Sequence, residues 1–208
     1  MTRVDLPVGD LVLEGRWELP DDGEPARVTV FCHPHPLQRG TMDAPLMRAV
    51  TGVLTDRGHA VLRFNFRGVG ASEGTWSEGI GEQDDVAAAV GTAARARPDL
   101  PLGVTGWSFG AVTSLRWQHR DGSTLPWAGI APALRLSTGG GAPEPDALPP
   151  ARRLFLIGDR DQFTDADDLR TYAETAGGRV EVLEGSDHFF YFREPVVGGL
   201  VADHFDGV

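Results

Sequence analysis

Ser108 stands at the centre of Gly106-Trp107-Ser108-Phe109-Gly110. The run before it, Pro101-Leu102-Gly103-Val104-Thr105, is short, apolar and β-favouring, and Ala111 to Gln118 after it reads as helix. A strand that turns straight into a helix leaves little room at the corner. Glycines two before and two after the serine allow the sharp bend and the close approach. The Ser108 hydroxyl then stands at a helix N-terminus, where the Phe109 amide and the helix dipole favour a developing oxyanion. The alternative is a glycine-rich turn whose serine merely caps the helix. A serine nucleophile needs a base, and the base needs a third group to fix its tautomer. His188, in Glu184-Gly185-Ser186-Asp187-His188-Phe189-Phe190, is the candidate base, and Gly158-Asp159-Arg160-Asp161-Gln162 offers two carboxylates. The chain order is serine, acid, histidine, each just beyond an apolar run. That constellation is suited to acyl transfer.

A second group of residues follows another apolar run, in His33-Pro34-His35-Pro36-Leu37. An oxyanion needs two donors, and prolines carry no amide hydrogen, so the backbones of His35 and Leu37 are the candidates here. Two histidines two apart also raise the possibility of metal binding. Zinc needs at least three protein ligands, and no third is specified nearby, so no metal is expected and His33 is read as a brace for its loop. Arg67 lies in the loop after a strand, where it is read as structural in preference to a substrate-carboxylate contact. Cys32 reads as a small buried hydrophobe. Trp76, Trp107, Phe163 and Phe189 are candidates for lining a substrate pocket, with Phe190 and Tyr191 close by in sequence.

These residues need elements to hold them. Leu11-Val12-Leu13 and Arg16 to Leu19, separated by Gly15, suit strands paired at a sheet edge. Arg27 to Cys32 is a β-branched, near-continuous apolar run, as expected of a strand buried on both faces. Ala44 to Arg57 has apolar residues at helical spacing and ends before Gly58. Ala60 to Phe66 is a strand, Arg67 to Gly74 a glycine-rich loop, and Glu82 to Arg97 a helix closed by Pro98. Trp127 to Ala131, Arg153 to Ile157 and Arg179 to Leu183 are strands. Asp167 to Ala176 and Glu194 to Phe205 are helices, and Ser137 to Pro150 is a Gly/Pro-rich loop. Alternating strands and helices predict an α/β fold, a mostly parallel sheet covered on both faces. Ligands on such sheets gather beyond the strands' carboxyl ends, where the candidate residues fall. No linker divides the chain, so residues 1–208 are expected to form one domain.

The chain resembles the α/β-hydrolase superfamily, in particular small lidless members similar to dienelactone hydrolases. The resemblance rests on Cys32 to Pro36 with Gly40 to Asp43, on Phe64 to Gly74, on Gly106 to Gly110, on Gly158 to Asp161 and on Ser186 to Phe190. It covers the chain from about Val28 onward. It implies an eight-stranded sheet with antiparallel early strands, Asp161 as the acid of the triad, and His35, two residues after His33, as the second oxyanion donor. Asp159, Asp165, Asp167 and Asp168 are then left to solvent or to the start of the next helix. Dienelactone hydrolases carry cysteine at the corner where this chain has Ser108, which favours ester chemistry.

Composition sets the outer limits. The 208 residues are enough for one substantial core, and 41% hydrophobic and 24% charged residues are ordinary for a globular chain. A net charge of −11 argues against binding nucleic acid. The absence of lysine excludes a lysine nucleophile or Schiff base. One cysteine permits no internal disulfide, no run approaches the roughly 20 apolar residues of a membrane span, and no basic-then-apolar leader opens the chain, so the expected location is cytoplasmic with no membrane partner. The expected activity is cofactor-free hydrolysis of a small ester or related acyl substrate. The rivals are a peptidase or thioesterase using the same triad, and a low-turnover binding or sensing module. With no apolar periodicity in Ser137 to Pro150 to build a lid, the site is expected to be an open, shallow apolar groove walled by Trp107 and Phe189.

Overall fold

The computed structural model describes residues 1–21, 23–135 and 141–208. Its frame is one eight-stranded sheet in the order β1-β2-β4-β3-β5-β6-β7-β8. β1 (Thr2–Val8) and β2 (Leu11–Glu18) form an antiparallel hairpin, and β2 pairs antiparallel with β4 (His59–Phe64). From β4 onward, through β3 (Arg27–Cys32), β5 (Leu102–Trp107), β6 (Trp127–Ile130), β7 (Arg153–Gly158) and β8 (Arg179–Leu183), every pairing is parallel.

The hairpin differs from its sequence reading. The chain reverses at Gly9 and Asp10, and Gly15 lies inside β2, opposite Val4. The apolar alternation therefore belongs to two strands in register, with Leu6 facing Leu13 and both fully buried.

Period-two alternation sorts the central strands between two cores. Val28, Val30 and Cys32 of β3, with Leu62 and Phe64 of β4, face a layer formed by α2 (Glu82–Ala96), α3 (Phe109–Asp121) and α4 (Ala166–Thr175). Phe31 and Val61 face α1 (Pro45–Asp56) and α5 (Glu194–Asp206) on the other side. Burial on both faces explains why these strands read as continuous apolar runs.

The strand order sets the site. After β3 the chain steps outward to β4, then returns past β3 to β5. The loops leaving the carboxyl ends of β3 and β5 thus diverge from neighbouring strands, which opens a crevice at that end of the sheet. β7 and β8, at the far edge, aim their carboxyl-end loops at the same end. Among the described residues, the Ser137 to Pro150 segment contains one 3-10 turn, Pro145–Ala147, and no lid helix. Residues 137–140 of that segment lie outside the described residues. No described helix is long and apolar enough to cross a membrane.

Candidate active site

β5 runs into α3 with Ser108 alone at the corner, at φ 56° and ψ −114°. A non-glycine residue at positive φ is strained, and two glycines make the strain tolerable. A side chain at Gly106 would collide with the backbone of Gly110 and Ala111, and one at Gly110 with the carbonyls of Cys32 and His33. The corner is thus packed backbone against backbone between β3, β5 and α3. Ser108 donates its amide to the Ile130 carbonyl at 2.8 Å and makes no side-chain capping bond. It is not an ordinary helix cap. Its side chain is left at the surface of the crevice, the whole residue being 9% exposed.

At the edge of the sheet the structure brings Asp161 and His188 together. His188 Nδ1 lies 2.8 Å from Asp161 Oδ2, with both side chains almost wholly buried. The other carboxylate oxygen accepts the amides of Phe163 at 2.8 Å and Thr164 at 3.1 Å. With its oxygens thus fixed, Asp161 favours the His188 tautomer that carries hydrogen on Nδ1 and leaves Nε2 unprotonated.

Asp159 does not reach the histidine ring. It is exposed, yet not idle: Oδ1 accepts the Ser186 amide at 3.2 Å. Arg160 N–H donates to the Ser186 carbonyl at 2.9 Å, and His188 N–H to Gln162 Oε1 at 3.4 Å. The loops after β7 and β8 are zipped together by these bonds, and nothing in the sequence pattern signalled the part of Gln162. Asp165 caps α4, accepting the amides of Asp167 and Asp168.

Trp107 overturns one expectation. It is only 6% exposed, so its indole belongs mainly to the core and little of it can wall a groove. Its indole lies beneath Phe189, ring centroids 6.1 Å apart, and Nε1 donates to the His188 carbonyl at 3.2 Å. The residue next to Ser108 therefore holds the His188 loop. The other pocket candidates do reach the surface: Trp76 is half-buried, Phe189 is 39% exposed and Phe163 60%.

The loop after β3 is braced as expected. His33 is fully buried, with Nδ1 2.6 Å from the Pro34 carbonyl and Nε2 accepting the Phe66 amide at 3.0 Å. An acceptor at Nε2 fixes the proton on Nδ1. Burial pushes the His33 pKa down to about 4, so the ring is neutral and both nitrogens are engaged in the brace. His35 packs against Trp76 and Phe109 at 4.9 and 5.2 Å. Its Nδ1 accepts the Leu37 amide at 3.2 Å. That bond takes Leu37 out as an oxyanion donor, because the amide already closes its own turn. Of the two candidate amides, the His35 N–H is the one with no acceptor among the described residues. Phe109 N–H, at the first position of α3, has no carbonyl one turn earlier to bind.

Arg67 is spent on structure: its guanidinium and amide both bind the buried carboxylate of Asp85. Burial pushes the Cys32 thiol pKa well up, away from a reactive thiolate. Among the described residues there is no cluster of three or more candidate metal ligands. A groove of about 710 Å³ lies behind the acid loop, where Pro143 and Glu144 face Thr164 and Tyr172. Asp161 and Phe163 border it, but Ser108 and His188 do not. The strained serine and the His–Asp pair, which lie outside this groove apart from Asp161, define the candidate site.

Known proteins share this architecture. The family described as serine aminopeptidase, S33, matches residues 37–156. An uncharacterized protein of Rickettsia prowazekii (strain Madrid E) is 28% identical over 193 residues, covering 86% of this chain and 78% of the relative. An α/β serine hydrolase homologue from Coxiella burnetii superposes with a TM-score of 0.82 at 25% identity, covering 97% of this chain and 95% of its own. A serine hydrolase without a lid from Xanthomonas campestris gives 0.80 at 29% identity, covering 98% and 92%.

Proposed function

The chain belongs to the serine aminopeptidase, S33, family of α/β-hydrolases, and on that footing we propose that it cleaves a small ester through an acyl-enzyme on Ser108. The observation that carries this reading is the His188–Asp161 pair, joined at 2.8 Å and tied through the His188 carbonyl to the residue beside the strained Ser108. In the proposed cycle His188 Nε2 takes the Ser108 proton as Oγ attacks the acyl carbonyl. Asp161 stabilises the imidazolium without itself being protonated. The amides of Phe109 and His35 receive the oxyanion, whose charge is greater in the transition state than in the ground state, so their bonds lower the barrier. The imidazolium then protonates the departing alcohol, and a water activated by His188 releases the acid.

No step needs a cofactor. The family's description supports a second reading, the same triad acting on a peptide bond. Labelling with a fluorophosphonate, followed by turnover of paired ester, thioester and aminoacyl amide substrates with the same acyl group, tests both. Rapid labelling that maps to Ser108, with ester turnover dominant, is the expected result. Absence of labelling would remove the nucleophile assignment, and dominant amide turnover would favour the peptidase.

A further inference from the structure

A line of aromatic rings leads from His188 out to solvent. Phe163 meets the His188 ring edge-on at 4.5 Å, and Phe189 meets it at 5.6 Å. Tyr191 stacks on Phe189 at 5.7 Å with the planes 25° apart. These three side chains are 60%, 39% and 62% exposed, so the line is a surface and not a core. Hydrophobic residues displayed together in this way at a site mark a binding surface.

The line is held rigidly. Phe190, between Phe189 and Tyr191, is fully buried in the core shared with α1 and α5, yet sits at φ 52°. An aromatic residue in the left-handed region is strained and persists only where its surroundings enforce it. Burial of the Phe190 ring does so here, and it turns the side chains on either side outward. Phe189 N–H donates to Asp187 Oδ1 at 2.9 Å and Phe190 N–H to the Asp187 carbonyl at 3.3 Å, fixing the same turn. Trp107 supports Phe189 from below.

Position in the sheet gives the line its meaning. Of the proposed oxyanion donors, His35 follows β3 and Phe109 adjoins Ser108 itself, whereas His188 and its rings follow β7 and β8, on the opposite side of β5 from β3. A general acid must come within about 3 Å of the atom it protonates, and in the proposed cycle His188 protonates the leaving oxygen. The rings touching His188 therefore border the alcohol half of the ester. Resting on the serine-hydrolase reading above, we infer that Phe163, Phe189 and Tyr191 form a leaving-group subsite that selects esters of alcohols bearing an aryl group.

The alcohol departs during acylation, so its contacts act on kcat/KM; where deacylation is rate-limiting, kcat is shared by all esters of one acid. The test uses acetates of ethanol, benzyl alcohol and 2-naphthylmethanol, set against ethyl esters of increasing acyl length. The expected result is a rise in kcat/KM of about tenfold or more from ethyl to naphthylmethyl acetate, consistent with the apolar area a ring covers at ~25 cal/mol per Å². Phe189→Ala and Tyr191→Ala should each cut that ratio about fivefold without altering the acyl-length profile, and Val12→Ala, in β2 toward the opposite end of the sheet, should leave the ratio alone. Free 2-naphthylmethanol should inhibit competitively, and less well in the two ring variants. A flat alcohol series, ring variants that keep the wild-type ratio, or a loss that follows acyl length instead would overturn the subsite. Fluorophosphonate labelling of Ser108 in each preparation separates the two failures: a labelled enzyme with a flat series refutes the subsite alone, and an unlabelled one refutes the hydrolase reading beneath it.

Discussion

Ser108 combines a positive φ with a side chain that caps nothing, so removing its hydroxyl costs the fold little. Ser108→Ala is expected to lower kcat for ester hydrolysis by about 10³-fold or more, with an unchanged circular dichroism spectrum. Retention of most activity in the folded variant would exclude Ser108 as nucleophile. The two carboxylates of the acid loop separate cleanly. Asp161 Oδ2 meets the His188 ring, whereas the Asp159 carboxylate, among the described residues, meets only the Ser186 amide. Asp161→Asn exchanges the acceptor of the ring N–H for a group that favours the wrong tautomer, and a loss of about 10³- to 10⁴-fold in kcat is expected. Asp159→Asn keeps an oxygen for the Ser186 amide and should cost far less. Steady-state kinetics on one soluble ester decides the order, and a reversed order would move the acid to Asp159. The aromatic rings around His188 were visible in the sequence only as a cluster. That Trp107 is the buried member and Phe163 the exposed one depends on which strand end each occupies.

At the scale of elements, α3 stands where it does because nothing intervenes between its first turn and the end of β3. Gly110→Ala would drive a methyl into the Cys32 and His33 carbonyls and push the helix away from the loop that supplies the His35 amide. A loss of roughly 3 kcal/mol or more is expected from overpacking against rigid backbone, together with reduced activity in the molecules that remain folded. Gly52, inside α1, has open space where its side chain would be. Gly52→Ala should therefore stabilise the protein by up to about 1 kcal/mol through helix propensity alone. Urea denaturation of the pair measures both signs, and equal effects would contradict the close approach. Most elements were legible because the central strands are buried on both faces and their helices carry one apolar stripe. The hairpin departs from its sequence pattern at Gly15, which lies inside β2, because the alternation fits two strands wherever the turn is placed. Only the Leu6–Leu13 register fixes the reversal at Gly9 and Asp10.

For the molecule as a whole, the described residues put no lid helix over the crevice. Turnover of soluble esters is expected to follow simple saturation, with no jump in rate when an ester passes its solubility limit and forms an interface. A sharp rise above that limit would show a cover that opens at interfaces. Acid should unfold the protein through its histidines. Burial holds His33, His59 and His204 neutral, with the pKa of each pushed down to about 4 from the usual 6.5, although Asp206 beside His59 works in the opposite direction. The unfolded chain protonates these rings near pH 6.5, so between 6.5 and 4 it binds more protons than the native state. The stabilisation is complete above pH 6.5 and is lost as pH falls toward 4. For the fully buried His33 the loss is about 3 kcal/mol. Urea midpoints from pH 7 to pH 4 should fall accordingly, and the slope should lessen in His33→Gln. A midpoint independent of pH over that range would contradict the neutral, buried rings.

The amino-acid sequence by itself determined the strand–corner–helix around Ser108, the α/β class, and the placing of Ser108, Asp161 and His188 beyond strand ends. All of these follow from local pattern: glycine spacing, apolar periodicity and chain order. Tertiary structure alone decided which groups face one another. It gave Asp159 to Ser186, laid Trp107 under the His188 loop, and set Asp161, which the family resemblance implied as the acid, against the His188 ring. Each of those outcomes turns on the direction of a single hydrogen bond. For the contacts of His188, such a bond joins residues 27 and 81 positions apart, and its direction is set by the order of strands in the sheet, which no local run of residues encodes.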